Sequence, residues 1–581
     1  MRLINTETLE LAEFHGFHKI QRACQIAIED GIEWIWIDTN CIDKSSSAEL
    51  TEAINSMYNW YSASTVCYAY LCDVPDLDMA EEDPLHHFRK SSWFHRGWTL
   101  QELIAPSRVL FYSKTWTRIG DRSGSLAVVI SRITGIDLSV ILGIANLHQI
   151  SVAKKMSWAA TRQTSRVEDM AYCLLGIFDV NMPLLYGEGP KAFIRLQEEI
   201  IRISNDHTIF CWARDSGVAQ SWTSMLAPSP AAFLKSGDYV AVDAWEAPVP
   251  YSMTNLGLSI HLPVLYTLTQ IVVVLDAGVS HGDPGLRACI AMQRTNQRRS
   301  GSNILDRSRL LGRPILLSKE ATDTRERYHL VIRSGYIPPV ESPYRRLLPM
   351  FKHGVLLFVD PTATRLLSTS KRDMPLGAVG YDIDTHPAGI FDFDAGILRL
   401  PAFEGGSSLV TSGLMRIRFK SPQAADFYLF FAVILTLGGK EVWNCSVHLA
   451  DDLGDILLAF EQELGEDEWP PDDLLIHQYL RVEAWQQHCQ QLTAHSSDES
   501  LFVSIGGPIS SLPGTNVRAA VLSAKADTRL PVPLQSMESN SADYKDHESV
   551  RNSEEDEQED EDWDSEEKDE DDKEFSQFSY A

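Results

Sequence analysis

The sequence predicts an α/β domain at the N-terminus, followed by a β-rich domain and a disordered acidic tail. Helical and strand patterns alternate from Gly16 to about Asn205. After His207, short runs of alternating apolar residues dominate, separated by Gly, Pro and Asp. From about Gln535 onward almost no aliphatic residues remain, so this last segment cannot bury enough apolar surface to fold.

The first part of the chain is predicted to form a parallel sheet. Apolar residues at helical spacing predict a helix that precedes the continuously apolar run Trp34-Ile35-Trp36-Ile37. Such a run is typical of a strand covered on both faces. Ser46 and Glu49 form a capping-box pattern that begins the next helix. A strand at residues 65–71 then completes a βαβ unit, whose two strands are expected to be parallel.

The remaining elements follow from the same patterns. A short helix at residues 99–104 leads into a strand at 108–112, and helices follow near 123–134, 152–160, 167–178 and 191–204. Strands are predicted at 239–242, 256–262, 270–275, 328–332, 355–359, 414–419, 428–436, 501–505 and 517–522, with one late helix at 473–492. The predicted boundaries are 1–150 for the α/β domain, 151–206 for a helical extension, 207–530 for the β-rich domain and 535–581 for the tail.

Charge and cysteine content exclude several classes of function. The tail holds twenty acidic and four basic side chains, a net of −16 within the −29 of the whole chain, so no domain is basic enough to predict a nucleic-acid-binding face. Nine scattered cysteines without a C-x-x-C pair indicate reduced thiols in the cytoplasm and predict no metal site. There is no secretory signal and no apolar run of membrane-spanning length.

Two carboxylates follow neighbouring strands of the predicted sheet. Asp38 comes directly after residues 34–37, and Asp73 comes after residues 65–71. Ligands of open α/β sheets bind beyond the carboxyl ends of the strands, so this pair is a candidate site for a ribose, a metal or a protonated group. The alternative is that both residues form turns, which Asp favours.

The segment 92–103 concentrates aromatic and charged side chains. Glu102 is a candidate acid/base or ribose-binding carboxylate, Arg96 a candidate anion clamp and Trp98 a candidate stacking surface. The alternative is that Trp98 belongs to the core and that Arg96 and Glu102 form an ion pair. A second motif, Gly187-Glu188-Gly189, mimics a phosphate-binding loop but lacks the surrounding strand, and is predicted to be a turn.

Several motifs in the first 200 residues resemble successive signatures of the fungal heterokaryon-incompatibility (HET) domain and of the extension that commonly follows it. They are WIDTNCIDK at 36–44, EAINSM at 52–57, YAYL at 68–71, WTLQEL at 98–103, MSWA at 156–159, RVEDMAYCLLG at 166–176 and LYGEG at 185–189. One departure stands out: the first strand and the Ser-His-Thr-Trp-Gly-like loop with which such domains begin are missing.

The resemblance implies a role in vegetative incompatibility, which is intracellular self/non-self recognition that leads to programmed cell death. It implies a flavodoxin-like or Toll/interleukin-receptor-like parallel sheet, a cytoplasmic location and protein partners, with homotypic HET-domain assembly. Some Toll/interleukin-receptor domains cleave NAD with a helix-borne glutamate, so the resemblance also implies Glu102 as a catalytic residue with Asp38 and Arg96 nearby. The alternatives are therefore an NAD-cleaving enzyme, with NAD as substrate and no cofactor, and an inactive truncated remnant.

Overall fold

The helices of the structure are concentrated in the first 203 residues. In the computed structural model they are α1 His15–Glu29, α2 Asp38–Cys41, α3 Ser47–Ala63, α4 His86–Arg89, α5 Thr99–Ile104, α6 Ala127–Thr134, α7 Leu138–Ile141, α8 Val152–Ala159, α9 Asp169–Tyr172, α10 Leu175–Phe178 and α11 Lys191–Ile203. The predicted cap of α3 is present, because the Ser46 hydroxyl accepts the Glu49 backbone N–H at 3.3 Å. The Glu49 carboxylate accepts the Asp43 N–H at 2.9 Å and so fixes the loop before the helix.

The described residues are 15–80, 82–214, 218–219, 221–242, 249–281, 283–294, 304–307, 313–318, 322, 327–336, 351–359, 381–386, 389–393, 396–401, 409–419, 427–436, 438–449, 492–493, 499–509 and 516–526. The chain divides into two units, residues 1–527 and 528–581, and all described residues belong to the first. Most of the helix predicted at 473–492 and the predicted acidic tail at 535–581 lie outside the described residues.

A three-stranded sheet lies among the N-terminal helices. Its strands are β1 Cys67–Tyr70, β2 Val109–Tyr112 and β3 Arg118–Asp121, in the order β1-β2-β3. The first pair is parallel, as predicted, and the second is antiparallel. Every residue of β2 is buried, which agrees with its apolar sequence. The α/β content of this region is therefore confirmed, although the sheet is smaller and more mixed than the predicted parallel sheet.

The strand predicted at Trp34-Ile35-Trp36-Ile37 is wrong. These residues form no strand in the structure, and Trp34 is 80% exposed instead of covered on both faces. Trp36 packs edge-on against Trp60 and Tyr61 of α3, with ring centroids 5.5 and 5.6 Å apart. An extended segment becomes a strand only when a neighbouring strand satisfies its backbone groups. The apolar run has the required composition but is not hydrogen-bonded to β1, so the predicted βαβ unit does not form.

The single helix predicted at 167–178 is replaced by two short helices, α9 and α10. The Leu174 N–H binds the Ala171 carbonyl at 3.0 Å, an i→i+3 contact that interrupts the α-helical ladder. After this break Gly176 lies directly against Tyr58 of α3: a Cβ at position 176 would lie 2.0 Å from the Tyr58 Cβ. The absence of a side chain at Gly176 therefore allows α10 to lie this close to α3.

The remainder of the described chain is β-rich, as predicted. Its strands are β4 Tyr239–Ala241, β5 Ser252–Thr254, β6 Gly257–Thr267, β7 Ile271–Val274, β8 Ala277–Val279, β9 Arg287–Arg294, β10 Ile304–Arg307, β11 Ile315–Leu317, β12 Arg327–Ile332, β13 His353–Val359, β14 Tyr381–His386, β15 Phe391–Asp392, β16 Ile397–Leu400, β17 Leu409–Phe419, β18 Phe427–Leu435, β19 Glu441–Leu449, β20 Leu492–Thr493, β21 Glu499–Ile509 and β22 Asn516–Ala526. A large mixed sheet runs β11-β9-β10-β12-β6-β13-β22-β21-β20, with β5, β7, β15 and β16 attached, and a second sheet runs β14-β17-β18-β19. Apolar side chains of both sheets share one core, so the two sheets are stacked.

One apolar core extends across the predicted boundary near residue 206. It begins at Ile42, includes α8 to α11, and continues into β6, β9 and β12 as far as Ile332. Polar contacts cross the same boundary. The buried Gln197 amide of α11 donates to the Ala227 carbonyl and accepts the Ala227 N–H, both at 2.9 Å. The helices and the first strands of the β-rich region are therefore packed as one body.

Glu441 connects the two stacked sheets and predicts a pH dependence of stability. Its carboxylate accepts from Lys352 at 2.8 Å and contacts the buried His353 at 3.0 Å, at the start of β13. The Lys352 hydrogen bond, opposed by desolvation and assisted by His353, lowers the pKa of Glu441 from 4.5 to about 2. A depressed pKa stabilises the fold above about pH 4.5, and this contribution is lost as the pH falls toward about 2.

We therefore expect Glu441→Gln to reduce the free energy of unfolding by about 1–2 kcal/mol at pH 7, after a discount for partial exposure. The difference from wild type should shrink as the pH falls from 4.5 to 2. Urea denaturation at a series of pH values measures it, and Glu52→Gln on the exposed side of α3 is the control. A gap that stays constant across this window would contradict the assignment.

None of the helices in the described part of the chain combines the length and the apolar composition that a membrane crossing requires.

Candidate functional site

The segment that carries Arg96, Trp98 and Glu102 is fixed to the helical extension. It forms a 3-10 helix, Ser92–His95, and then α5. Between them the Gly97 N–H donates to the Gln163 carbonyl at 2.8 Å, and the Gln163 N–H donates to the His95 carbonyl at 2.6 Å. Gly97 is required for this approach, because a Cβ there would lie 2.5 Å from the Thr164 methyl carbon. The backbone around Glu102 is therefore held in one position.

Glu102 lies in a partly buried cluster of charged and aromatic groups. Burial raises the pKa of the Glu102 carboxyl, and the negative charge of Asp38 raises it further. The positive charges of Arg96 and Lys19 and a hydrogen bond from the Trp93 side chain oppose the rise in this pKa. Because the net shift is upward, Glu102 holds its proton to a higher pH than an ordinary glutamate. A carboxyl whose pKa is raised by burial and by a neighbouring negative charge is a candidate group for proton transfer.

The structure thus brings together three of the five predicted site residues, Asp38, Arg96 and Glu102. Tyr61 of α3 completes the cluster: burial raises the pKa of its phenol, and the charges of Glu102 and Asp38 raise it further. Sequence analysis did not select Lys19 or Tyr61 as site residues, since each occupies an ordinary helix position. Their relation to Glu102 depends on how α1 and α3 pack around α5.

Arg162 is a second residue that the sequence analysis missed. Its guanidinium is buried and donates to the Trp158 carbonyl at 3.1 Å, the Arg96 carbonyl at 2.8 Å and the Thr99 hydroxyl at 3.0 Å. Burial lowers its pKa to about 10, while the charges of Cys173 and Glu102 act in the opposite direction. Arg162 remains charged at neutral pH and holds the backbone that positions Arg96 and α5.

Asp73 makes local contacts that stabilise a turn. Its carboxylate accepts the Ser91 hydroxyl and the Ser92 backbone N–H, both at 2.7 Å, at the start of the 3-10 helix. Desolvation raises the pKa of Asp73, but these hydrogen bonds together outweigh it and lower the pKa. The oxygens of Asp73 are engaged in this turn, as the alternative for this residue predicted.

Trp98 takes part in a different cluster. The Trp98 side chain makes a hydrogen bond with the Asp169 carboxylate, which also accepts the Tyr186 hydroxyl at 2.9 Å. Burial raises the pKa of Asp169, and both hydrogen bonds oppose that rise. Trp98 is partly buried and connects α5 to α9 and to the loop before α11. These contacts direct it toward the helical extension.

The Gly187-Glu188-Gly189 motif forms the predicted turn, and a carboxylate of the same chain occupies it. Gly187 and Gly189 have φ values of 105° and 60°, which glycine adopts without strain. Their N–H groups donate to one oxygen of Glu168 at 2.8 and 3.0 Å. Hydrogen bonds from the backbone of Glu168 itself and from these two glycines lower the pKa of Glu168. Successive N–H groups of this kind bind anions, and here the anion is Glu168.

Among the described residues, no group of three or more His, Cys, Asp or Glu side chains is arranged to hold a metal ion.

Comparisons with known proteins agree with the motifs of the N-terminal region. The family model described as "Heterokaryon incompatibility protein (HET)" matches residues 5–80. The "Vegetative incompatibility protein HET-E-1" of Podospora anserina is 51% identical over 189 residues, which are 32% of this chain and 14% of that relative. The chain thus spans about a seventh of the length of the curated relative that it matches. No solved structure matches the chain. The predicted resemblance to the HET family is confirmed for this part of the chain.

Proposed function

We propose that this protein acts in heterokaryon incompatibility, as a self/non-self recognition protein that triggers programmed cell death through its HET region. The observation that carries the proposal is the 51% identity over 189 residues to a relative named as a vegetative incompatibility protein. Identity at this level over such a length indicates a shared fold for the matched part of the chain.

A cytoplasmic location fits the thiol chemistry. None of the eight cysteines among the described residues forms a disulfide, and five of them are buried. Cysteines outside disulfides are typical of proteins that work in a reducing compartment. We propose that recognition and signalling both occur inside the cell.

Homotypic assembly is the proposed mode of signalling. Ile28, near the end of α1, is 73% exposed, and Trp34 in the following loop is 80% exposed. Both lie within the residues that match the HET family model. Large apolar side chains in such exposed positions favour burial against a partner, and a second HET region is the partner proposed here. Trp34→Glu should shift self-association, measured by light scattering after gel filtration, toward the monomer.

Inducible expression of the full chain in a filamentous-fungal host tests the incompatibility function. We expect vital-dye uptake and growth arrest on induction. Gly97→Ala should prevent both, because the added Cβ would collide with Thr164 and displace α5. Gly438→Ala, in an open turn with no atom within 4 Å of its added Cβ, is the matched control and should kill like wild type. Survival of cells that contain the soluble wild-type chain would contradict the proposal.

NAD cleavage is a second candidate function, and the cluster around Glu102 is the observation that favours it. A carboxyl with a raised pKa beside Asp38 and Arg96 has the chemistry of a general acid/base. The Toll/interleukin-receptor-like fold remains part of this proposal, with Glu102 as the catalytic residue and NAD as the substrate.

Glu102→Gln separates the two candidates. If the cluster is catalytic, purified wild-type protein consumes NAD, and the variant should be at least about 100-fold slower because the proton-transfer group is gone. Glu52→Gln, an exposed glutamate of α3, is the control and should retain full activity. If cells that express Glu102→Gln still die on induction, signalling proceeds through assembly of the protein and does not require catalysis by Glu102.

A further inference from the structure

A cleft of about 630 Å³ lies between α1 and the carboxyl ends of β1 and β2. Its lining includes Lys19, Arg22, Tyr70, Lys114 and Trp116. The volume falls within the range of about 300–1,000 Å³ that is typical of small-molecule sites. The carboxyl ends of parallel strands are the usual position for ligands in α/β sheets. The cleft is separate from the carboxylate of Glu102, but Lys19 acts electrostatically on that carboxylate.

The charge of the cleft favours an anion. Lys19 and Arg22 face it from α1, and Lys114 faces it from the turn that follows β2. Arg22 makes one ion pair, with Glu29 at 3.1 Å, on the exposed side of α1. No Asp or Glu is among the residues that line the cleft in the described part of the chain. Three cations around one cavity therefore produce a local positive potential on a chain whose net charge is −29.

Two aromatic rings are stacked in the same cleft. The Tyr70 and Trp116 rings are 4.5 Å apart at an interplanar angle of 20°. The Tyr70 hydroxyl donates to the Lys114 carbonyl at 3.1 Å, and the Lys19 ammonium lies 5.7 Å from the Tyr70 ring centroid. The stack is thus directly beside the cations. The planar ring of a ligand can stack on this pair in the same way that the two side chains stack on each other.

The turn that presents Trp116 is held in a strained conformation. Trp116 has a φ of 66°, a region that large side chains rarely adopt, and such strain costs on the order of 1–3 kcal/mol. The Trp116 N–H donates to the Ser113 carbonyl, and the Ser113 N–H to the Thr117 carbonyl, both at 2.9 Å. The hydroxyls of Ser113 and Thr115 donate to Asp76, which anchors the turn. Glycine would occupy position 116 without this strain.

From these observations we propose that the cleft binds a nucleoside polyphosphate. The phosphates contact Lys19, Arg22 and Lys114, and the base extends the Tyr70–Trp116 stack. The inference goes beyond the incompatibility function, because binding requires neither cell death nor chemistry at Glu102. A nucleotide bound in the cleft would lie beside the proposed signalling region. Lys19 lines the cleft and also acts electrostatically on Glu102.

Isothermal titration calorimetry on the purified full chain tests the proposal with three probes: ATP, inorganic tripolyphosphate and adenosine. We expect ATP to bind tightest, since only ATP carries both the ring and the charge. Lys114→Gln should weaken ATP and tripolyphosphate by about five- to tenfold each. Trp116→Gly should weaken ATP by about tenfold or more, through the loss of one base–aromatic stack, and should leave tripolyphosphate within about twofold of wild type.

Arg118→Gln is the matched control: it lies on the same hairpin, carries the same charge change as Lys114→Gln and does not line the cleft. Its affinity for ATP should equal that of wild type. Absence of ATP binding, or equal losses in Arg118→Gln and Lys114→Gln, would overturn the proposal. Because Trp116→Gly also removes the contacts of the indole ring with Tyr70 and Tyr112, its melting temperature is measured alongside, and Lys114→Gln is an independent test that leaves the ring in place. The assay contains no cells and no NAD, so a failed incompatibility function would leave its outcome unchanged.

Discussion

Replacement of Arg162 by methionine is expected to lower the free energy of unfolding by about 3 kcal/mol, because it removes the donor from two buried acceptors and from one part-buried acceptor. Methionine retains most of the apolar volume of the arginine stem, so the loss reports on hydrogen bonds more than on packing. The acceptors are the carbonyls of Trp158 and Arg96 and the hydroxyl of Thr99. Because two of them belong to the segment that leads into α5, we also expect the activity that depends on Glu102 to fall.

Urea denaturation followed by tryptophan fluorescence measures this loss. Arg118→Met is the matched control, since its side chain is 51% exposed and its ion pair with Asp121 spans 3.6 Å. Exposed pairs of this kind contribute at most about 1 kcal/mol. If Arg162→Met lost less than about 1 kcal/mol, the three acceptors would have found other donors, and the assigned role of Arg162 would be wrong.

Gly176→Ala is expected to destabilise the protein by about 3 kcal/mol or more, by overpacking the contact between α10 and α3. The added Cβ would lie 2.0 Å from the Cβ of Tyr58, which is attached to the helix backbone and cannot rotate away. The two helices would have to separate, and both contribute to the core that continues into the β-rich region.

A double-mutant cycle tests this steric explanation. Tyr58→Gly removes the atom that collides, so the Tyr58→Gly/Gly176→Ala pair should lose clearly less stability than the sum of the two single changes. Calorimetry gives the melting temperatures, with Gly438→Ala as a glycine-to-alanine control in open space. Additive losses would show that the collision with Tyr58 is not the cause.

The fold was predictable where pattern alone determines it. The strands at 67–70 and 109–112, the helix Thr99–Ile104 and the β-rich character after residue 207 all follow from local periodicity. Trp34–Ile37 shows the limit of that method. Its composition is that of a buried strand, yet whether it pairs depends on a neighbouring strand, and a single segment carries no information about its neighbour. The contact of Gly176 with Tyr58, more than a hundred residues away, likewise leaves no trace in the local pattern.

The site was predictable to a similar extent. The charges of Asp38 and Arg96 act on the Glu102 carboxylate in the structure, and the catalytic role that the resemblance implied stays a prediction. Trp98 was selected for its chemistry, but it makes a hydrogen bond with Asp169, a partner that sequence spacing could not reveal. Arg162 follows the end of α8 in a polar segment, where local spacing marks no special role for it. Its role requires three acceptors from separate parts of the chain.

The continuous core has a consequence for anyone who wishes to exchange this region between relatives. A chimera that joined the chains near residue 206 would separate Gln197 from its two hydrogen bonds with Ala227 and cut the apolar core that reaches Ile332. Each half of such a chimera would expose apolar residues that are buried in this protein. Aggregation of the chimera would then mask any change in recognition. A crossover placed beyond residue 336 keeps the core around the helices intact, but it still separates β6 from β13, its neighbour in the large sheet, so the strands on both sides of that point have to be exchanged together.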